Sequence, residues 1–192
     1  AATDEETTVV VTADHGEMLG DPCEEGCVRH KSSLSEGLLH VPLAVVNPPE
    51  DAPVGQDIDD YVSHCRLPAL VTGLATGEWT DPTGGPIAAE VMGLSAGPEP
   101  PSDRTYYDRR LRCAYDGPTE YVWDSLGDRR QYRVGDAPCT EMEVATDVEM
   151  PQHALAHFDT PIEEFKAQFA DEDANAWAAD APTERLQDLG YL

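Results

Sequence analysis

Asp14, His15 and Lys31 are the residues whose types and order lend themselves to chemistry. Asp14 and His15 stand side by side just after the apolar run Thr8–Thr12, Gly16 and Glu17 follow, and Lys31 precedes a segment carrying Ser33 and Glu36. A carboxylate oxygen beside an imidazole nitrogen can bind a divalent cation. Asp suits Ca²⁺ or Mg²⁺, and His widens the choice towards Mn²⁺ or Zn²⁺. A lysine ammonium beside a helix start favours a bound anion such as sulfate or phosphate. His30 adjoins Lys31 and is a candidate for the same pocket. Taken singly, these are a polar turn and a solvated charge. Their combination, strand then DHGE then Lys then a short helix then VPL, is what points to a site.

Elements must hold those residues in place. Residues 7–12 read as a strand that is apolar on both faces, which belongs in the middle of a parallel sheet covered by helices. Asp14 and His15 then lie past its C-terminal end, where open α/β sheets bind ligands, and Gly16 permits a tight turn. Ala13–Arg29 reads as a loop, and Ser32–Leu39 as a short helix with Ser33 and Glu36 spaced for a capping box. Val41–Val46 reads as a second buried strand, closed by Asn47-Pro48-Pro49. Ile58–Leu74 fits a helix that Pro68 must kink or restart. Alternating strand and helix is the pattern of an α/β fold. The chain begins AATDEETTVVV without an initiator Met and enters a strand almost at once, so it is expected to be the C-terminal part of a longer protein.

Residues 75–102 change character and are rich in Gly and Pro, with a short apolar piece over Ile87–Leu94. Tyr106–Tyr115, Glu120–Trp123 and Arg130–Val134 are short aromatic and β-branched runs separated by turn residues, and they read as an antiparallel meander. Thr160–Phe169 carries helical spacing with Pro161 at the first position, and Pro182–Leu189 reads as a last helix. The expected organisation is an α/β part over 1–80, a linker over 81–102 and a small α+β subdomain over 103–192.

The stretch from Thr7 to Pro48 resembles a conserved block of the sulfatases, within the alkaline-phosphatase-like superfamily. Asp14-His15-Gly16-Glu17 matches the family's DHGE, Lys31 its lysine, and Val41-Pro42-Leu43 its VPL strand. Leu34-Ser35-Glu36 stands where LYE is expected, so Ser35 replaces Tyr, and His40 stands where Arg is usual. Further on, VSHCRLPALVTGL from Val62 resembles a family helix, with Arg66 in place of Asp. Residues 120–141 resemble the small C-terminal sheet, and ERLQDLGYL the usual chain end. The resemblance implies the C-terminal part of an alkaline-phosphatase-like α/β sandwich with a small antiparallel-sheet subdomain.

For single residues, the resemblance implies that Asp14 and His15 are ligands of a divalent cation, Ca²⁺ in sulfatases, with Mg²⁺ or Mn²⁺ as alternatives. It implies that Lys31 contacts the sulfate oxygens and offsets charge on the leaving group, with His30 beside it. The metal then acts as a Lewis acid and the lysine as an electrostatic stabiliser. The family's formylglycine motif, C-x-P-x-R, occurs at none of the cysteines, so the nucleophile and the remaining metal ligands are expected in a missing N-terminal half, and this chain alone is expected to be inactive. The expected substrate is a small-molecule sulfate ester. A phosphoric or phosphonic ester hydrolase, or a phospho-group transferase, would use the same half-site, and a non-catalytic interaction module is the reading from another class.

Charge narrows the partners. The 192 residues carry 38 acids against 12 bases, a net charge of -26. This disfavours nucleic acid and anionic membrane surfaces, and no apolar run approaches the length of a membrane span. Lysine occurs only at Lys31 and Lys166, and the acids are spread along the whole chain. That is the pattern expected in multimolar salt, where screening removes the self-repulsion, in the cytoplasm or in brine. The cysteines at 23, 27, 65, 113 and 139 make no zinc pattern and read as incidental thiols, although Cys23 and Cys27 could close a small loop or share a metal. His153 and His157 are four apart and read as surface residues.

Overall fold

A computed structural model describes residues 7–21, 24, 28–30, 32–93, 108–135 and 142–165. Strands dominate these residues: a five-stranded antiparallel sheet, two small two-stranded ladders and a few short helices. The first ladder pairs β1 (Val9–Thr12) with β4 (Leu43–Val46), and the second pairs β2 (Met18–Leu19) with β3 (Val28–Arg29). Between β3 and β4 lies α1, Glu36–Leu39. A turn of 3₁₀ helix at His64–Arg66 leads into α2, Leu67–Thr76.

The expectation of a buried, parallel β1 is corrected here. β1 runs antiparallel to β4, and both strands are half open, with Val11 51% and Val46 45% exposed. Among the described residues each has one strand neighbour, so an apolar sequence alone leaves one edge and one face in solvent. Asn47 closes the ladder. It sits in the left-handed region at φ 51°, its amide donates to the Thr7 carbonyl, and its own carbonyl accepts from the Thr8 hydroxyl. Asn tolerates that conformation because its short polar side chain bonds locally.

Proline restarts α2. Pro68 lies in its first turn, where a missing N–H costs nothing, so the helix begins at Leu67 and residues 58–63 stay non-helical. Gly77 ends it in the left-handed region at φ 79°, and its N–H reaches back to the last turn. The capping box at Ser33 and Glu36 does not form. The helix starts at Glu36 itself, after Ser35, and no side chain caps it.

The main sheet has the order β5-β6-β7-β8-β9: Ala88–Val91, Leu111–Asp116, Thr119–Asp124, Arg129–Arg133 and Met142–Thr146. β5 lies inside the Gly- and Pro-rich stretch 75–102 and forms one edge of this sheet. Period-two alternation splits β6 between two cores. Ala114 joins Trp123 and, from the segment that follows, Met150, Ala154 and Ile162. Leu111 and Cys113 face the other way, onto Leu34 just before α1. Both faces of the sheet are therefore covered at its centre. The first face is closed by α3 (Gln152–Leu155) and α4 (Ile162–Phe165), with Phe158 edge-on to Trp123 at 5.4 Å. Arg112 is buried there, with its guanidinium 4.4 Å above the Phe158 ring and bonded to Glu90 and to the Thr160 carbonyl. Asp124 ties the β7–β8 turn. One oxygen accepts from the Leu126 and Asp128 amides, and the other accepts from Arg109. No described helix is long and apolar enough to cross a membrane. The Pro182–Leu189 helix expected from sequence, and the end of that expected over Thr160–Phe169, lie outside the described residues.

Candidate functional site

The loop after β1 is held from two sides. The Gly16 N–H donates to the Leu38 carbonyl in α1 at 2.8 Å, and a Cβ on Gly16 would collide with the Gly37 carbonyl oxygen. This close backbone approach is what requires glycine in DHGE. Beyond it, the β2/β3 hairpin turns the chain back. Its register pairs Met18 with Arg29, so Glu17, one residue before, comes opposite His30, one residue after. Glu24 anchors the hairpin: it is buried, and one carboxylate oxygen accepts the amides of Leu19, Gly20 and Asp21, each at 2.9 Å.

Three donors converge as a result. The His30 Nδ1 lies 3.0 Å from a Glu17 carboxylate oxygen, and the His15 and His30 rings are 4.6 Å apart at 36°. One ligand atom from each of His15, Glu17 and His30 falls within 4.8 Å of the others. The His15 Nδ1 is 2.7 Å from the Gly16 carbonyl, a contact that makes Nδ1 the donor and leaves the Nε2 lone pair for another partner. An imidazole fixed through its far nitrogen is the usual arrangement of a metal ligand.

Asp14 stands at the rim. Its side chain is 79% exposed, one oxygen accepts the His15 N–H at 3.0 Å, and the other is 3.8 Å from His15 Nε2. Two ligands of one Ca²⁺ at about 2.3–2.6 Å lie within about 5 Å of each other, so this pair fits a shared cation. Lys31 lies outside the described residues, as do Cys23, Cys27 and Cys139. Glu36, where the family resemblance expects a glutamate, is buried. It accepts the Tyr115 hydroxyl at 2.6 Å and contacts His40 Nδ1 at 3.1 Å. It joins α1 to the main sheet and takes no part in the histidine cluster. Ser35 has its hydroxyl buried with no hydrogen-bond partner.

The remaining candidates sit elsewhere. His153 is exposed and 3.5 Å from Asp116, and His157 is exposed. Cys65 is an exposed free thiol; Cys113 is buried, and burial first, then nearby Glu120, pushes its thiol well up, away from nucleophilic character. A groove of about 490 Å³, lined by Tyr61, residues 85–87, residues 115–117 and His157, contains none of the residues of the DHGE loop. Glu17 and Glu24 were not singled out from sequence. The signal for Glu17 is its spacing: in extended chain His15 and Glu17 share a side. No protein-family model matches the sequence, and no curated protein and no solved structure gives a match.

Proposed function

We propose that these residues supply the cation- and anion-binding side of a sulfatase-like ester hydrolase, within the C-terminal part of an alkaline-phosphatase-like α/β sandwich. The observation that carries this is the convergence of residues distant in sequence at the end of β1: the hairpin lays His30, the neighbour of Lys31, against His15 of DHGE. A catalytic cation, Ca²⁺ by the resemblance, would be held by Asp14 and His15 and would polarise the ester when bound. The Gly16 carbonyl fixes which His15 nitrogen faces it. Lys31, by its place in the matched motif, binds the sulfate oxygens and offsets the charge that develops as the ester bond breaks. In this proposal the nucleophile and the remaining ligands come from residues beyond these 192. A phosphate or phosphonate ester would meet the same cation and lysine.

The test begins with the reading frame upstream of Ala1, which should encode a C-x-P-x-R motif and an aspartate pair. The protein that includes those residues should hydrolyse an aryl sulfate faster than an aryl phosphate and lose that activity on Asp14→Asn, while the 192 residues alone turn over neither. Turnover by the short chain, or an upstream frame without a nucleophile motif, defeats the proposal. A faster aryl phosphate reaction moves it to the phosphate chemistries.

A further inference from the structure

We infer that His15, Glu17 and His30 form a two-histidine, one-carboxylate site that takes Zn²⁺ in preference to Ca²⁺. Donor chemistry comes first. Two imidazoles and a carboxylate are the ligand set of open zinc sites, whereas Ca²⁺ collects six to eight oxygens and gains little from nitrogen. Geometry comes second. The Glu17–His30 contact of 3.0 Å is already close to the separation of about 3.4 Å between two ligands of a tetrahedral zinc. The full trio lies within 4.8 Å, so about an ångström of side-chain rotation closes it. His15, Glu17 and His30 are 38%, 48% and 30% exposed at their side chains, so an ion can approach them from solvent. The bonding already in place comes third. The His15 Nδ1 is occupied by the Gly16 carbonyl and presents Nε2. Three protein ligands leave a fourth position for water or an anion.

The hairpin makes this site, since the Met18–Arg29 register sets Glu17 against His30 and Glu24 holds the turn. Asp14 is not needed for it. At His15 the inference replaces the calcium of the proposed hydrolase, since one Nε2 lone pair serves one ion, and it stands on these three side chains whether or not the protein hydrolyses an ester.

The experiment is titration of the 192-residue chain, its thiols left unmodified, by Zn²⁺ and by Ca²⁺ in a calorimeter, with Co²⁺ as a spectroscopic stand-in. One Zn²⁺ should bind per chain, at least about 100-fold tighter than Ca²⁺. Glu17→Gln and His30→Gln should each weaken Zn²⁺ by about 10–100-fold. The Co²⁺ spectrum should show nitrogen and oxygen ligation without a thiolate charge-transfer band, a readout that needs no variant to fold. Tighter Ca²⁺ than Zn²⁺ binding that depends on Asp14 overturns the inference and leaves the hydrolase proposal standing. A thiolate band, or Zn²⁺ binding unchanged by both Glu17→Gln and His30→Gln, overturns it as well.

Discussion

β1 and β6 reverse what their sequences advertise. β1 reads Val-Val-Val-Thr and is half open; β6 reads Leu-Arg-Cys-Ala-Tyr-Asp, has an arginine at its second position, and is the most buried strand described. The difference lies in neighbours. β6 is paired on both edges, and its faces are covered by Leu34 on one side and by the 150–162 segment on the other. Arg112 is tolerated there because Glu90, the Thr160 carbonyl and the Phe158 ring satisfy it. A buried guanidinium needs such partners, whereas an exposed valine needs none. The open region carries the histidine cluster and the covered one supplies the rigidity, a common division between loops and scaffold.

Three substitutions test that contrast. Trp123→Ala removes the largest ring of the covered region, and a loss of about 3–5 kcal/mol in denaturant unfolding is expected. A loss below about 1 kcal/mol would mean the sheet is not the stable half. Gly16→Ala forces a methyl group against the Gly37 carbonyl. It should cost about 1–3 kcal/mol and abolish cation binding, read by calorimetry, while the near-ultraviolet dichroism of the protein stays native.

Tyr115→Phe cuts the hydrogen bond to Glu36 that joins the two regions and should cost about 1–2 kcal/mol at neutral pH. It also changes the alkaline limb. Burial first, then the charges of Glu120, Cys113 and Glu36, hold the Tyr115 phenol far above its ordinary value of 10.0. A raised folded pKa stabilises fully below the unfolded value and less as pH climbs past it. The parent protein should therefore lose up to about 1.4 kcal/mol per pH unit above pH 10 through this group. Unfolding free energies at pH 9, 10 and 11 should show a shallower fall in the phenylalanine variant; parallel curves would mean that the phenol ionises freely in the folded protein.

What the sequence reveals depends on range. The meander is legible because its turns are local: Gly117-Pro118 and the Asp124–Asp128 loop follow runs that alternate in polarity. The restart of α2 at Pro68 follows from a single missing N–H. The direction of β1 is not legible, because an apolar run fixes neither its partner nor the partner's direction. Nor is the capping box: Ser33 and Glu36 have the spacing, but Glu36 is drawn to Tyr115, which lies far along the chain. In the candidate site, His15 and His30 stand out by type. Glu17 offers only its two-residue spacing from His15 until the hairpin register sets it against His30, and Glu24 emerges only through the amides it collects.

The main sheet and the ladder of β1 with β4 also differ in the order in which they can form. Each partner in the main sheet from β6 to β8 is met across a turn of a few residues, whereas β1 cannot meet β4 until residues 13–42 have been gathered into a closed loop. Closing the longer loop loses more chain entropy before any bond compensates. Hydrogen-exchange labelling during refolding should therefore protect the amides of β6 and β7 before those of β1, so that the site-bearing loop is assembled last and against a surface already in place.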